Sequence, residues 1–228
     1  MSVPRLPLRD ELFLLGHDDD TGHPHIHRQA LALGLAGAVL IDLFLTGRIT
    51  LDPQAAQTDP HPTGERWLRL HTDQPVGDLI SDTAIAAIRH GRTPPPVKAF
   101  LRTFSADLYE RTRAGLVAAG ILRQHTRRRL AGLARTDTYL PTDTKWPVIA
   151  RARLRYLAHG REQPDHHTAA LAGLVATLGL TEHLYLDDDT TTLTRRLKTI
   201  ADQHHRTVRD IITAVDAAVG DLATAAYR

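Results

Sequence analysis

The 228-residue sequence contains no cysteine, which removes several kinds of protein chemistry at once. Disulfide frameworks, thiolate nucleophiles and zinc–cysteine sites all need sulfur, so none of them is available to this chain. Aromatic residues are also scarce, at 5% of the sequence. The hydrophobic fraction of 42% nevertheless suffices for a buried core, so we expect a folded protein and not a disordered chain.

The sequence also shows no clear segment that would direct it into or across a membrane. Residues Met1 to Asp10 lack the charged start, the apolar stretch and the small-residue cleavage site of a secretion signal. The longest apolar run, Ala30 to Leu45, is shorter than the roughly 20 residues that a spanning helix needs, and it contains Asp42. We therefore expect a cytoplasmic protein in which this run forms a buried core helix.

Neither sign of charge is in large excess, because the sequence contains 28 basic and 26 acidic residues. An anionic partner must therefore meet a local basic patch and not a generally basic protein. Only Lys98, Lys145 and Lys198 are lysines, so nearly all of the positive charge is guanidinium, which binds phosphate in a bidentate fork. Compositional bias accounts for this arginine surplus more simply than function does.

Most of the chain has the apolar periodicity of helices. An apolar opening segment, Leu6 to Leu15, precedes the run from Arg28 to Leu45, in which Gly34 and Gly37 would let neighbouring elements approach closely. Further helices are predicted at Val76–His90, Val97–Ala119 with Gly120 as its cap, Thr144–Gly160, His167–Leu178, and Leu193–Ala226 with a break near His204–His205. We predict a mainly α fold: one globular helical domain, residues 1–228, around a buried central helix.

Two short β-hairpins are expected on the surface of this domain. Residues 48–52 and 66–70 alternate as half-buried strands do, and the segment between them holds Pro53, Pro60, Pro62 and Gly64. Residues 121–139 read as a second hairpin with a basic tip at Arg127, Arg128 and Arg129.

The histidines offer the chemistry that most resembles a metal or catalytic site. The segment from His17 to His27 is rich in imidazole and carboxylate, and His23, His25 and His27 would share one face if it were extended. A solvated loop is the simpler interpretation, because metal sites usually also draw a ligand from a distant segment. No Ser-centred nucleophile elbow and no Walker-type phosphate loop accompanies the histidines. We therefore predict no metal, no cofactor and no enzymatic activity.

The basic tip is the strongest electrostatic feature of the sequence, since Arg123, His125 and Arg135 flank its three arginines. Such a tip suits anionic lipid or nucleic acid. A solvated hairpin or a contact between subunits explains it equally well.

Four segments, in order, resemble one known family. They are Leu8 to Leu15, Leu35 to Leu43 with Gly47-Arg48-Ile49 after it, Pro62-Thr63-Gly64, and Leu116 to Leu122. In this order and spacing, the chain resembles the Golgi phosphoprotein family. The resemblance is that of a divergent, bacterial-type member. The resemblance implies a mainly helical globular domain with short surface hairpins.

The resemblance also implies a function. Eukaryotic members bind phosphatidylinositol 4-phosphate on Golgi membranes and recruit glycosyltransferase tails, using a tryptophan and several basic residues around a phosphate pocket. Here the tryptophan position falls on His27 and the basic positions fall on Ala36, Ala106 and Tyr109. Nearby, Arg28, Arg111 and Arg113 are available as replacement charge. The candidate headgroup-binding residues are His27, Arg28, Tyr109, Arg111, Arg127, Arg128 and Arg129.

The sequence thus favours a peripheral membrane-binding or adaptor protein on the cytosolic face of a membrane. Its expected partner is an anionic phospholipid surface, with phosphatidylinositol 4-phosphate as the candidate headgroup. Two alternatives remain: a winged-helix-like nucleic-acid binder, which near-neutral net charge disfavours, and a scaffold that forms homo-oligomers through the hairpin. The sequence does not identify a protein partner.

Overall fold

The computed structural model describes residues 5–52, 66–91, 93–129, 134–184 and 189–225. These residues form nine α-helices, two pairs of strands and a short 3-10 helix at Thr181–Leu184. In chain order the elements are α1 (Leu8–Leu15), α2 (Arg28–Leu45), β1 (Ile49–Asp52), β2 (Trp67–Leu70), α3 (Leu79–His90), α4 (Val97–Phe104), α5 (Leu108–Ala118), β3 (Leu122–Arg129), β4 (Ala134–Pro141), α6 (Lys145–Ala158), α7 (His166–Thr177), α8 (Thr190–His204) and α9 (Arg206–Ala225).

The core is built around α2, which α1, α5, α7 and α9 surround. Gly34 and Gly37 lie where neighbours come closest: a Cβ atom on Gly34 would be 2.5 Å from Leu178 Cδ1, and one on Gly37 would be 2.5 Å from Val215 Cγ2. Among the described helices, α2 alone is long and apolar enough to cross a membrane, yet other elements cover about two thirds of it. The predicted mainly α domain around a buried central helix is confirmed.

The carboxyl group of Asp42 is tolerated inside the apolar α2 because it has a backbone hydrogen-bond donor nearby. Its Oδ2 atom accepts a 2.9 Å hydrogen bond from the Leu8 backbone N–H, in the first turn of α1, where no intrahelical acceptor exists. Asp42 therefore ties the start of α1 to the last turn of α2.

Polar side chains define where several helices begin. The carboxylates of Asp78, Asp165 and Asp189 accept backbone N–H groups at the starts of α3, α7 and α8. Just after the C-terminus of α5, Gly120 adopts a φ of +70°, as predicted for a glycine that ends a helix.

One predicted helix is wrong in its extent. Val97–Ala119 is two helices, α4 and α5, separated by a turn at Ser105–Asp107. The Ser105 hydroxyl donates to the Arg102 carbonyl, a local bond that competes with continued helix. The apolar spacing hides this break because Phe104 and Leu108, four residues apart, are both buried. The predicted break at His204–His205 is confirmed by the separation of α8 from α9.

Both predicted hairpins are present as antiparallel pairs. In the first, Ile49 pairs with Leu70 and Leu51 with Leu68, and Ile49 and Leu68 are buried in the core. The connecting residues 53–65, including the Pro62-Thr63-Gly64 motif, lie outside the described part of the chain. In the second, eight residue pairs join β3 to β4, from Leu122 with Pro141 to Arg129 with Ala134.

Candidate anion-binding surface

The N-terminus of α2 is an exposed helix end with positive character. His27 is its N-cap residue, and its Nδ1 atom accepts a 3.3 Å hydrogen bond from the Gln29 backbone N–H. The first turn of α2 contains no acidic residue that would neutralise the helix dipole. An exposed helix end of this kind attracts anions through its N–H groups.

Arg28 adds a full positive charge at this end. Its guanidinium carbon lies 5.2 Å from the centre of the Tyr109 ring of α5, within cation–π range. In the described part of the chain, no carboxylate forms an ion pair with Arg28. The Arg28 side chain is therefore held by an aromatic ring while its charge remains available to a ligand.

A second arginine repeats this arrangement one turn further along the same face of α5. The Arg113 guanidinium carbon lies 4.2 Å from the ring centre of Tyr139, which belongs to β4. Arg113 also forms an ion pair with Glu110, one turn earlier in α5. We call the group formed by His27, Arg28, Tyr109, Arg113 and Tyr139 the basic surface. It joins the start of α2, one face of α5 and the base of the β3–β4 hairpin.

A buried histidine fixes Tyr109 beneath Arg28. The Nδ1 atom of His17 lies 2.6 Å from the Phe13 carbonyl oxygen, which only accepts, so Nδ1 carries the proton. Its Nε2 atom must then accept the 2.7 Å hydrogen bond from the Tyr109 hydroxyl. Phe13 stacks on His17 at 4.2 Å between ring centroids, which restricts the imidazole further.

Burial keeps both members of this pair neutral. The pKa of His17 is lowered to about 4, mainly by burial; the charges of His25, Arg28 and Arg113 act in the same direction, and the hydrogen bond to the Phe13 carbonyl opposes them. Burial raises the pKa of Tyr109 above its usual value, although Arg28 and Arg113 act in the opposite direction. Tyr109 therefore supplies a neutral ring and no competing negative charge beneath Arg28.

The two alanines at the family's basic positions and the candidate Arg111 lie outside this surface. Ala36 is completely buried in α2, so it cannot contact a ligand, and Ala106 is exposed in the turn before α5. Arg111 lies outside the basic surface, with its guanidinium carbon 5.7 Å from the Phe104 ring centre and one nitrogen 3.6 Å from Asp107. The structure thus brings His27, Arg28 and Tyr109 together but not Arg111.

Arg127, Arg128 and Arg129 lie on β3 at the end of the hairpin distant from α5. Arg127 pairs with Thr136, three residue pairs beyond the Gln124–Tyr139 pair at the basic surface. Three steps along a strand correspond to about 10 Å. The hairpin therefore continues outward from the basic surface toward the three arginines.

The histidine-rich loop does not converge as a metal site within the described residues, where no group of three or more His, Cys, Asp or Glu side chains could hold an ion. His25 instead stacks on His183, with ring centroids 3.9 Å apart. His27 caps α2, and His17 packs under Tyr109.

Three residues of this arrangement, Arg113, Tyr139 and the supporting His17, were not among the candidate headgroup-binding residues. Arg113 follows Tyr109 by four residues, a spacing that places both on one helix face and could have indicated it. His17 follows Phe13 by the same interval. Nothing in the sequence indicates that Tyr139, from a distant strand, meets Arg113.

Comparison with known proteins identifies a family. The family model described as Golgi phosphoprotein 3 (GPP34) matches residues 8–223. The chain is also 26% identical over 133 residues to vacuolar protein sorting-associated protein 74 from Eremothecium gossypii. That alignment covers 53% of this chain and 40% of the relative, so the chain spans less than half of that protein. Because the family model covers nearly its whole length, the chain belongs to the Golgi phosphoprotein 3 (GPP34) family.

Proposed function

We propose that this protein is a peripheral membrane-binding protein that recognises anionic phospholipid headgroups through its basic surface. Membership of the Golgi phosphoprotein 3 family supports a membrane-associated adaptor type of role. We extend this role to the residues that contact the headgroup and to the identity of the headgroup.

The observation that carries the proposal is the pair of arginines supported by tyrosine rings beside a helix N-terminus. Arg28 and Arg113 lie over Tyr109 and Tyr139, which limits the conformational freedom that each side chain would lose when it binds. A phosphate between them would also meet the N–H groups at the start of α2. Arg113 would exchange its ion pair with Glu110 for the more strongly charged phosphate.

A headgroup phosphate is the anion that this arrangement suits best. Guanidinium groups form bidentate hydrogen bonds with phosphate oxygens, and they stay charged at every physiological pH. Phosphatidylinositol 4-phosphate is the candidate headgroup, because its phosphomonoester carries more charge than a phosphodiester does. His27, Ala36, Ala106 and Tyr109 replace the family's own binding residues, so Arg28 and Arg113 would form a new residue set.

The basic tip at Arg127, Arg128 and Arg129 would strengthen this contact without specificity. Each arginine near an acidic bilayer contributes about 1 kcal/mol, and salt screens this attraction. We therefore propose that the tip attaches the protein to a negatively charged surface while the basic surface binds an individual headgroup.

The double variant Arg28→Ala/Arg113→Ala tests the proposal most sharply. With vesicles containing phosphatidylinositol 4-phosphate, we expect about a thirtyfold loss of affinity, since two contacts of about 1 kcal/mol are removed. The matched control is Arg195→Ala/Arg196→Ala on α8, which removes equal charge outside the basic surface. Equal losses in both double variants would contradict the proposed site.

A nucleic-acid titration distinguishes the alternative function, nucleic-acid binding, from lipid binding. A nucleic-acid binder loses affinity along a straight line of log K against log salt concentration, with a slope that counts the phosphates it neutralises. Tight binding to short duplex DNA with such a slope, together with no binding to vesicles, would replace the lipid proposal.

A further inference from the structure

The C-terminal end of α5 is exposed but carries no charge. Residues 114–120 contain no ionisable side chain, and all of them except the buried Leu116 are exposed. Val117 is 36% exposed, and it is one of four large hydrophobic side chains that are exposed in the described part of the chain. The absence of charge is notable because a soluble protein surface usually carries about 25–35% charged residues. We call the exposed residues of this segment the uncharged end: Ala114, Gly115, Val117, Ala118, Ala119 and Gly120.

The uncharged end continues the basic surface along the same face of α5. Tyr109, Arg113 and Val117 follow one another at intervals of four residues, which places them in one row on the helix. Four residues advance a helix by about 6 Å. A lipid headgroup bound by Arg113 is attached to a bilayer, so the helix surface one turn away from Arg113 lies at the bilayer surface.

The charges along α5 decide which of its ends can approach a bilayer. Asp107 precedes the helix and Glu110 lies in its first turn, and each forms an ion pair with an arginine of α5. Their side chains are 68% and 51% exposed, so these pairs are hydrated, and removing them from water costs free energy. The charged residues that flank the uncharged end in sequence, Arg113 and Arg123, are basic, and an acidic bilayer attracts guanidinium groups. The C-terminal end is therefore the end that suits a bilayer.

The backbone at this helix end is also prepared to leave water. The last carbonyl groups of a helix have no partner in the regular helical pattern and usually need water. Here the carbonyl oxygens of Gly115, Leu116 and Val117 accept hydrogen bonds of 2.9–3.0 Å from the N–H groups of residues 119–121. The positive φ of Gly120 allows the chain to close back in this way. These three carbonyl groups therefore keep their hydrogen bonds when the uncharged end enters a less polar environment.

We propose that the uncharged end of α5 enters the headgroup layer of the bilayer, beside the lipid that the basic surface binds. This inference rests on the proposed function and adds the orientation of the protein on the membrane. A bilayer is the expected partner, and not a second protein, because the ligand of the adjacent arginines is itself part of a bilayer. Alanine, glycine and valine are small, so the contact is shallow and adds modestly to the affinity.

A fluorescent label at Ala118 tests this contact, and the absence of native cysteine makes the labelling specific. Ala118→Cys carries an environment-sensitive fluorophore, and Ala217→Cys on α9 is the exposed control outside the basic surface. With vesicles that contain phosphatidylinositol 4-phosphate, we expect about a twofold rise in emission at position 118, because the label leaves water, and no change at position 217. Unchanged emission at position 118 in a protein that sediments with these vesicles would overturn the inference. If neither labelled protein sediments, the proposed function itself fails.

Ala118→Glu separates the bilayer contact from headgroup binding. We expect about tenfold weaker binding to the same vesicles, because the new carboxylate would have to be desolvated. Binding of soluble inositol 1,4-bisphosphate, measured by calorimetry, should weaken by no more than about twofold, since this probe has no acyl chains. Ala217→Glu is the matched control and should leave both affinities unchanged. Equal losses with vesicles and with the soluble probe would show that Ala118→Glu weakens the basic surface, and would contradict a separate bilayer contact.

Ala118→Leu distinguishes an apolar contact from simple repulsion by the glutamate. We expect about threefold tighter binding to the vesicles, because leucine adds apolar area, and unchanged binding of inositol 1,4-bisphosphate. Unchanged vesicle affinity in both variants of Ala118 would exclude the bilayer as the partner of the uncharged end. Arg28→Ala/Arg113→Ala should weaken binding of the soluble probe as well as of vesicles. Failure of the basic surface is therefore seen with the soluble probe, whereas failure of this inference is seen with vesicles alone.

Discussion

At the scale of single residues, the Asp42 carboxyl group accepts a hydrogen bond that joins α1 to α2, but its burial disfavours the ionised form. Burial raises the pKa of its carboxyl group to about 7, even though the Leu8 N–H and Arg9 favour the charged form. A carboxyl group whose folded pKa is raised stabilises the fold below its unfolded pKa, and this contribution is lost as the pH rises through the folded value. Asp42 therefore favours the folded state least above pH 7.

This sign predicts the behaviour of Asp42→Asn, which keeps an oxygen acceptor for Leu8 but cannot ionise. We expect its free energy of unfolding relative to the original protein to rise between pH 4 and pH 8, by on the order of 3 kcal/mol. Urea denaturation at several pH values measures this difference. A difference that does not change with pH would show that Asp42 does not titrate in this range.

Two buried histidines, His17 and His167, act in the opposite sense to Asp42. Burial lowers the pKa of both His17 and His167 to about 4, so the unfolded chain takes up protons that the folded protein does not. Stability from these groups is complete above about pH 6.5 and is lost as the pH falls toward 4. A His17→Gln variant should therefore show a shallower loss of stability between pH 6.5 and 4 in the same denaturation series.

Two glycines within helices differ in how closely neighbouring side chains pack against them. Gly37→Ala would place a Cβ atom 2.5 Å from Val215, whereas nothing lies within 4 Å of a Cβ atom on Gly115. We expect Gly37→Ala to destabilise the protein by about 1–3 kcal/mol through overpacking. Gly115→Ala should stabilise it by about 0.5–1 kcal/mol through helix propensity. Thermal denaturation of the pair checks this, and similar effects in both would contradict the close packing of α2 against α9.

At the scale of elements, the β3–β4 hairpin links the basic surface to the three arginines at its end. Replacing Arg127, Arg128 and Arg129 together by alanine removes charge from the part of the hairpin beyond Tyr139. We expect about a hundredfold loss of affinity for acidic vesicles at low salt, and a smaller loss at high salt. The melting temperature should stay unchanged, because these residues lie beyond the buried start of β3 at Leu122. Unchanged vesicle binding would remove the tip from the proposed membrane contact.

The elements also show what sequence patterns can and cannot predict. Apolar periodicity predicts α3 and α6 well, because each buries one side with a helical repeat, whereas α2 and α7 are predicted by near-continuous apolar runs and are buried all round. It fails between α4 and α5, since Phe104 and Leu108 keep that repeat across a turn. Local hydrogen bonding at Ser105 decides this break, and periodicity does not report it.

At the scale of the whole molecule, the fold was predictable to a greater extent than the site. The family resemblance aligns His27 and Tyr109 with binding positions and indicates Arg28 as neighbouring replacement charge, and the structure brings these three residues into one group. Arg111 shares α5 with Tyr109 but lies on another side, over Phe104. The Arg113–Tyr139 contact joins segments 26 residues apart, a tertiary relation that spacing alone cannot supply.

Co-sedimentation with vesicles shows whether the molecule presents one anion-binding face to a bilayer. Neutral vesicles, vesicles with phosphatidylserine and vesicles with phosphatidylinositol 4-phosphate are compared at physiological salt. We predict no binding to neutral vesicles, weak binding to phosphatidylserine and the strongest binding to phosphatidylinositol 4-phosphate. Failure to bind either acidic vesicle, or equal binding to all three, would show that the protein has no such anion-binding face.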